Sequence, residues 1–150
     1  MIDSFRFENF WLNEFYNRPV YYDDTWFETN HVALCYAKSK DRSSFAKGVF
    51  SHCDNIHADI NLHKFGLRED WDEIKYDVMK EITAMRFVLY PDLAEKLIQT
   101  KGQDLIDGNN VEEYYWGMCN GVGENNYGKI LMDIRDVLIK QSEDSNDDWK

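Results

Sequence analysis

Residues 115–136, YWGMCNGVGENNYGKILMDIRD, decide how the C-terminal part of this chain folds. A Trp-Gly pair enters a loop rich in glycine and asparagine. The loop runs straight into an amphipathic helix whose apolar stripe is Ile130, Leu131, Ile134, Val137 and Leu138. Where a loop opens a helix, backbone N–H groups lack intrahelical partners and can hold an anion such as a phosphate. Trp116 beside that loop offers a flat indole face to a base or a ribose. The segment therefore predicts a nucleotide-shaped ligand, with Trp116 stacking and Asn126 and the Gly121 and Gly123 amides as polar contacts. Taken alone, the two glycines are turn chemistry more often than a phosphate cradle.

Working back from this block, residues 104–110 read as a short strand into a turn, and Pro91 suits the first turn of a helix that Leu93 and Leu97 carry to a stop at Gly102. Before it, Asp70 opens the clearest helix of the chain, with Trp71, Ile74, Val78, Ile82, Met85 and Leu89 recurring at steps of three and four. Residues 42–67 are irregular, with only 58–62 hinting at a short helix. Thr29 caps a mostly buried helix through about Ser39, and residues 19–27 read as two short strands around a turn at Asp23 and Asp24. The sum is an α+β domain, predominantly helical, over residues 1–141, with a small N-terminal β element and an acidic, flexible tail over 142–150. No repeat or interdomain linker interrupts it.

A formal net charge of −11 argues against sequence-independent nucleic-acid binding, which needs clustered Lys and Arg to displace counterions. A free nucleotide needs only a few placed cations. No apolar run approaches the roughly 20 residues of a membrane span, and MIDSFRFENFW lacks a charged region followed by an apolar one, so a cytosolic protein is expected. Cys35, Cys53 and Cys119 are too few and too scattered for a disulfide framework or a four-cysteine zinc site. His52, Cys53, His57 and His63 assemble a metal site only on paper, because no element fixes their geometry. No metal and no cofactor are expected.

His31 and Lys38 are the sharper pair. Seven residues apart on one helix, they project from the same face. As a solvated lysine and a half-buried histidine they would be ordinary. Lining a pocket together, they would lower each other's basicity, and Lys38 could attack a sugar carbonyl as a free amine.

Several blocks recur together: Phe7-Glu-Asn9-Phe10; Phe27-Glu-Thr29 leading to Ala37-Lys38; Leu67-Arg68-Glu-Asp70-Trp71 with Lys75 and Met79; Leu97-Ile-Gln-Thr100; Tyr115-Trp116-Gly117; and Asn126-Tyr-Gly128 through Leu131-Met132 to Arg135. On these the chain resembles the NADAR superfamily, also called YbiA-like, over nearly its whole length. The resemblance implies a pocket for ADP-ribose-like or ribosyl-base ligands. It also implies an N-glycosidase activity on ADP-ribosylated guanine or early riboflavin-pathway intermediates. Such cleavage passes through a cationic sugar that a carboxylate stabilises and a lysine traps as an imine. Asn9, Phe10, Phe27, Trp71, Gly117 and Arg135 join His31, Lys38, Trp116, Gly121, Gly123 and Asn126 as expected ligand contacts.

Matched residue by residue, Lys38 falls on the lysine ending the family's Glu-His-Ala-Tyr-Gln-Ala-x-Lys pattern, but that pattern's glutamate falls on His31. The lysine of a second landmark, an Ala-Lys pair, falls on Asp59, and Glu113 stands where the family often has Asp before Trp-Gly. Extra residues around 13–18 separate the Asn-Phe landmark from the first strand. The first reading is a catalytically impaired binder that holds an NAD-derived nucleotide, as a viral protein sequestering an ADP-ribose-type immune messenger would. The alternative is an active N-glycosidase in which His31 or Glu113 does the acid–base work and Lys38 is the amine.

Overall fold

A computed structural model describes residues 1–147, and its fold is α+β and predominantly helical. The chain divides into two compact units, residues 13–89 and residues 1–12 together with the chain from 90 onward.

In the first unit, β1 (Val20–Tyr22) and β2 (Thr25–Phe27) form an antiparallel hairpin with Val20 opposite Phe27. Asp23 and Asp24 make the turn at φ of 49° and 61°, the left-handed pair that a two-residue hairpin loop demands. The Asp23 carboxylate accepts the Tyr36 hydroxyl at 2.5 Å and pairs with Lys47 at 3.3 Å. The hairpin is thereby tied to α1 (Asn30–Lys38), whose first turn is capped by Thr29 Oγ1 accepting from the Val32 amide. Every residue of α1 from Asn30 to Ala37 is buried, so this short helix is the hub of its unit.

Two helices pack on α1 where the sequence reads as irregular. α2 (Ser44–Ser51) is capped by Ser43, and α3 (Asn55–Phe65) by Asp54. α3 buries only Ala58, so it carries almost no apolar period, and the short helix hinted at over 58–62 extends to both sides of that stretch. α4 (Trp71–Leu89) has the expected extent but a rotated buried face. Met79, Ile82, Thr83, Arg86 and Phe87 are buried, while Ile74, Val78, Met85 and Leu89 of the expected stripe are half-buried at its margin.

In the second unit, α5 (Pro91–Gln99) starts at its proline and buries Leu93 and Leu97, and Gly102 follows at φ 85°. It packs against α6 (Asn126–Asp147) through Ile130, Leu131 and Ile134. Val137, expected in that stripe, is exposed. The helix continues through residues 142–147 of the acidic tail, whose residues 148–150 lie outside the described ones. β3 (Gly108–Asn109) pairs in parallel with β4 (Met118–Cys119), and Leu105 bridges to Ile2. Among the described residues all three cysteines are free and buried, and no helix is long and apolar enough to cross a membrane.

Candidate functional site

Lys38 ends α1, and the segment leading into α4 is folded around it. The Arg68 amide donates to the Lys38 carbonyl at 2.9 Å, and Ser39 and Leu67 form an antiparallel bridge. Arg68 then grips Asp70 with two bonds, Nε to Oδ1 at 2.6 Å and Nη2 to Oδ2 at 3.0 Å. That fork shapes the turn which starts α4 and brings the Trp71 ring beneath the Lys38 ammonium, 5.7 Å from its centroid. Trp71 is 7% exposed, so it serves as a platform for the lysine and leaves no face for a base. Phe27 is likewise core, stacked on Tyr36 with centroids 5.2 Å apart. Lys38 itself is half-buried, and among the described residues no carboxylate pairs with its ammonium.

One face of α1 carries a second arrangement. The buried His31 lies between two carboxylates: Nδ1 donates to Glu14 Oε2 at 3.1 Å and Nε2 to Asp59 Oδ1 at 2.7 Å. Phe15 covers its ring at 4.2 Å, and Cys35 Sγ, one turn on, lies 3.5 Å from both Nε2 and Asp59 Oδ1. Burial is the largest influence on the imidazole and pulls its pKa down. The hydrogen bonds with Cys35 and Glu14 outweigh it and raise the value to about 10. His31 is therefore an imidazolium at neutral pH, which corrects the expectation that a lysine neighbour would make it less basic. Of the paper metal site, Cys53 takes a hydrogen bond from Asn61, His52 and His57 bond locally to Gly48 and Asp54, and only His63 joins Asp59 in lining a cavity of about 500 Å³.

The loop before α6 has its own geometry. Glu113 turns its carboxylate inward to accept three backbone amides, those of Tyr115 at 3.0 Å, Trp116 at 2.9 Å and Gly117 at 2.7 Å. Both oxygens are thus engaged in building the loop, which places Glu113 away from the acid–base role expected of it. The carbonyls this arrangement presents cap the following helix. Glu124, Asn125, Asn126 and Tyr127 donate their amides to the carbonyls of Tyr114, Gly117, Tyr115 and Trp116. The N–H groups that a phosphate at this helix start would need are used internally, so the anion-at-the-helix-start expectation does not hold for these four. Gly117 and Gly123 serve close packing: a side chain on Gly117 would strike the Asp107 carbonyl, and one on Gly123, at φ 141°, the Gly117 carbonyl. Arg135 is structural as well, giving Nη1 to the Thr100 carbonyl, its hydroxyl and the Gln103 carbonyl at 2.9, 3.1 and 2.7 Å. Trp116 is half-buried and edge-on to Tyr115 at 4.7 Å. Gly121 faces a cavity of about 470 Å³ lined also by Asp3, Arg6, Asn109, Met118 and Asn120. Asn9 and the partly exposed Phe10 sit on a 3-10 helix, Phe7–Leu12.

The sequence pattern underlying this geometry matches the model of the NADAR domain over residues 3–139. The chain belongs to the NADAR domain family. An N-glycosidase of Nostoc punctiforme is 37% identical over 73 residues, which cover 48% of this chain and 46% of that protein. The chloroplastic riboflavin biosynthesis protein PYRR of Arabidopsis thaliana is 30% identical over 76 residues, 51% of this chain but 13% of that one. The matched stretch thus spans less than half the length of these curated relatives. The NMR structure of Escherichia coli YbiA superposes with a TM-score of 0.79 at 20% identity, covering 95% of this chain and 89% of that one, and shows the shared fold.

Against the NADAR pattern, the departures seen in the sequence meet at one point. The extra residues around 13–18 supply Glu14 and Phe15. The resemblance sets His31 at the pattern's glutamate and Asp59 at its lysine, and the side chains of Glu14, Phe15 and Asp59 all contact that of His31. Sequence reasoning noticed His31 and Asp59 separately but had no signal that Glu14, 17 residues away, closes the cluster.

Proposed function

We propose that this NADAR protein binds an NAD-derived nucleotide of the ADP-ribose type and holds it, with N-glycosidase chemistry impaired. The observation that carries this reading is His31: where the family pattern has a carboxylate, an imidazolium is locked between Glu14 and Asp59 under Phe15. A cation there cannot supply the negative charge that stabilises an oxocarbenium-like sugar, a loss worth several kcal/mol in the transition state. Ground-state recognition does not depend on that charge. Lys38, poised over Trp71, provides a cation for a phosphate or ribose oxygen. A protein of this kind sequesters its ligand.

A second reading is an active N-glycosidase in which Asp59 replaces the missing acid. Its support is the position of the Asp59 carboxylate, 60% exposed and 2.7 Å from His31. The family relatives named as N-glycosidases favour it too. One experiment separates the two. The protein is incubated with ADP-ribose and with ADP-ribosylated guanine, denatured by heat, and the released small molecules are weighed by mass spectrometry. Intact ligand carried by the protein supports the binder, and free base or ribose accumulating over many turnovers overturns it in favour of the enzyme.

A further inference from the structure

His31, Cys35 and Asp59 bring three different donor atoms together: Nε2 and Sγ one helical turn apart on α1, and a carboxylate oxygen from α3. We infer that these three residues form a binding site for a divalent transition-metal ion of the zinc type, with its fourth position facing the solvent side of Asp59. The inference goes beyond the nucleotide reading and does not depend on it.

The geometry supports it at three points. In a tetrahedral site with bond lengths of about 2.0–2.3 Å, neighbouring donor atoms lie about 3.4–3.6 Å apart. The two distances involving Cys35 Sγ are already 3.5 Å. The third, His31 Nε2 to Asp59 Oδ1, is 2.7 Å and has to open by about 0.7 Å, which the exposed Asp59 side chain can accommodate by rotation about its own bonds. Second, Glu14 accepts the Nδ1 proton of His31 at 3.1 Å, the carboxylate–histidine arrangement that fixes a metal-binding tautomer and presents Nε2 outward. Phe15 packed on the ring restrains its rotation. Third, Asp59 is exposed and lines a cavity shared with Leu62, His63 and Gly66, so one of the three ligands is reached directly from solvent.

The donor set selects the ion. One thiolate, one imidazole and one carboxylate suit zinc or cobalt, whereas magnesium and calcium require oxygen ligands throughout. Binding replaces the His31 Nε2 hydrogen bond to Asp59, and the protons on Nε2 and on Sγ go to solvent, so affinity rises with pH.

The test is a cobalt(II) titration of the full chain, produced without a histidine tag, read by thiolate-to-cobalt charge-transfer absorption, with zinc added afterwards to compete. The wild type is expected to bind one equivalent, to show that absorption, and to lose it as zinc displaces cobalt. Asp59→Asn, a substitution at an exposed position that leaves the core intact, is expected to weaken binding at least tenfold. Cys35→Ala should abolish the charge-transfer band, while Cys53→Ala and Cys119→Ala keep it. Absence of stoichiometric binding by the wild type overturns the inference. So does a charge-transfer band that survives Cys35→Ala, or an Asp59→Asn variant that binds as the wild type does.

Discussion

Replacing Glu113 by Gln tests whether this residue builds the C-terminal loop or does chemistry. In the native loop its two oxygens accept the amides of Tyr115, Trp116 and Gly117. Glutamine removes the charge and turns one oxygen into an N–H donor. If its remaining oxygen keeps the Tyr115 and Trp116 amides, those bonds fall from the charge-assisted range of about 1.5–3 kcal/mol toward about 0.5–1.5 kcal/mol each. The buried Gly117 amide then faces another donor, at a cost of about 1–3 kcal/mol. Discounted for the partial exposure of Glu113, the expected destabilisation is about 2–4 kcal/mol, or a urea midpoint lowered by about 1–2 M for an m-value near 2 kcal/mol/M. Urea denaturation followed by tryptophan fluorescence reads it. A midpoint equivalent to within about 0.5 kcal/mol of the wild type, the range of ordinary surface substitutions, refutes the loop-building role and returns Glu113 to the catalytic candidates.

Arg135→Met removes three carbonyl and hydroxyl contacts to the end of α5 and should destabilise by about 2–4 kcal/mol in the same assay; a variant of native stability would restore Arg135 as a ligand contact. Two alanine substitutions should differ in sign. Gly128→Ala forces a methyl into the Leu105 carbonyl and should cost about 1–3 kcal/mol or more, whereas Gly48→Ala meets open space inside α2 and should stabilise by about 0.5–1 kcal/mol, both checked by thermal denaturation. The Asp23–Tyr36 bond should make stability depend on pH in a defined direction. Asp23 is held below its usual 3.8 first by the Tyr36 hydroxyl, with Lys47 adding to it. A carboxylate with a depressed folded pKa contributes stability above its unfolded value and loses it as the pH falls through the folded one. Tyr36→Phe should therefore destabilise at pH 7 and progressively less in acid; a pH-independent difference would show that the bond carries no linkage.

Local chemistry made part of this fold legible. The aspartate pair fixed the hairpin turn, Thr29 the start of α1, Pro91 the start of α5, and the spacing from Trp71 the length of α4. What stayed hidden depends on long-range contacts. α3 buries little more than Ala58, so periodicity could hint only at its middle, and the face of α4 shifted because a buried arginine, Arg86, reaches the Asn13 carbonyl from a position that a hydrophobic pattern counts as polar. At the site, the Leu-Arg-x-Asp-Trp block was recognisable as a landmark, but only the folded chain shows that its Arg68–Asp70 fork seats Trp71 under Lys38. The glycine loop misled for a physical reason. A loop entering a helix leaves its amides available only if the loop's own carbonyls do not turn back onto them, and here Glu113 makes them do so.

The central claim is that a ribose-bearing nucleotide is held at Lys38 without being cut. Isothermal titration calorimetry with ADP-ribose addresses it most directly, comparing the wild type with Lys38→Met. The account requires saturable micromolar binding of one ligand per chain, weakened at least tenfold by the substitution, with ADP-ribose recovered unchanged from the cell. No heat at high micromolar concentration, equal affinity in the variant, or recovery of cleaved ligand would contradict it.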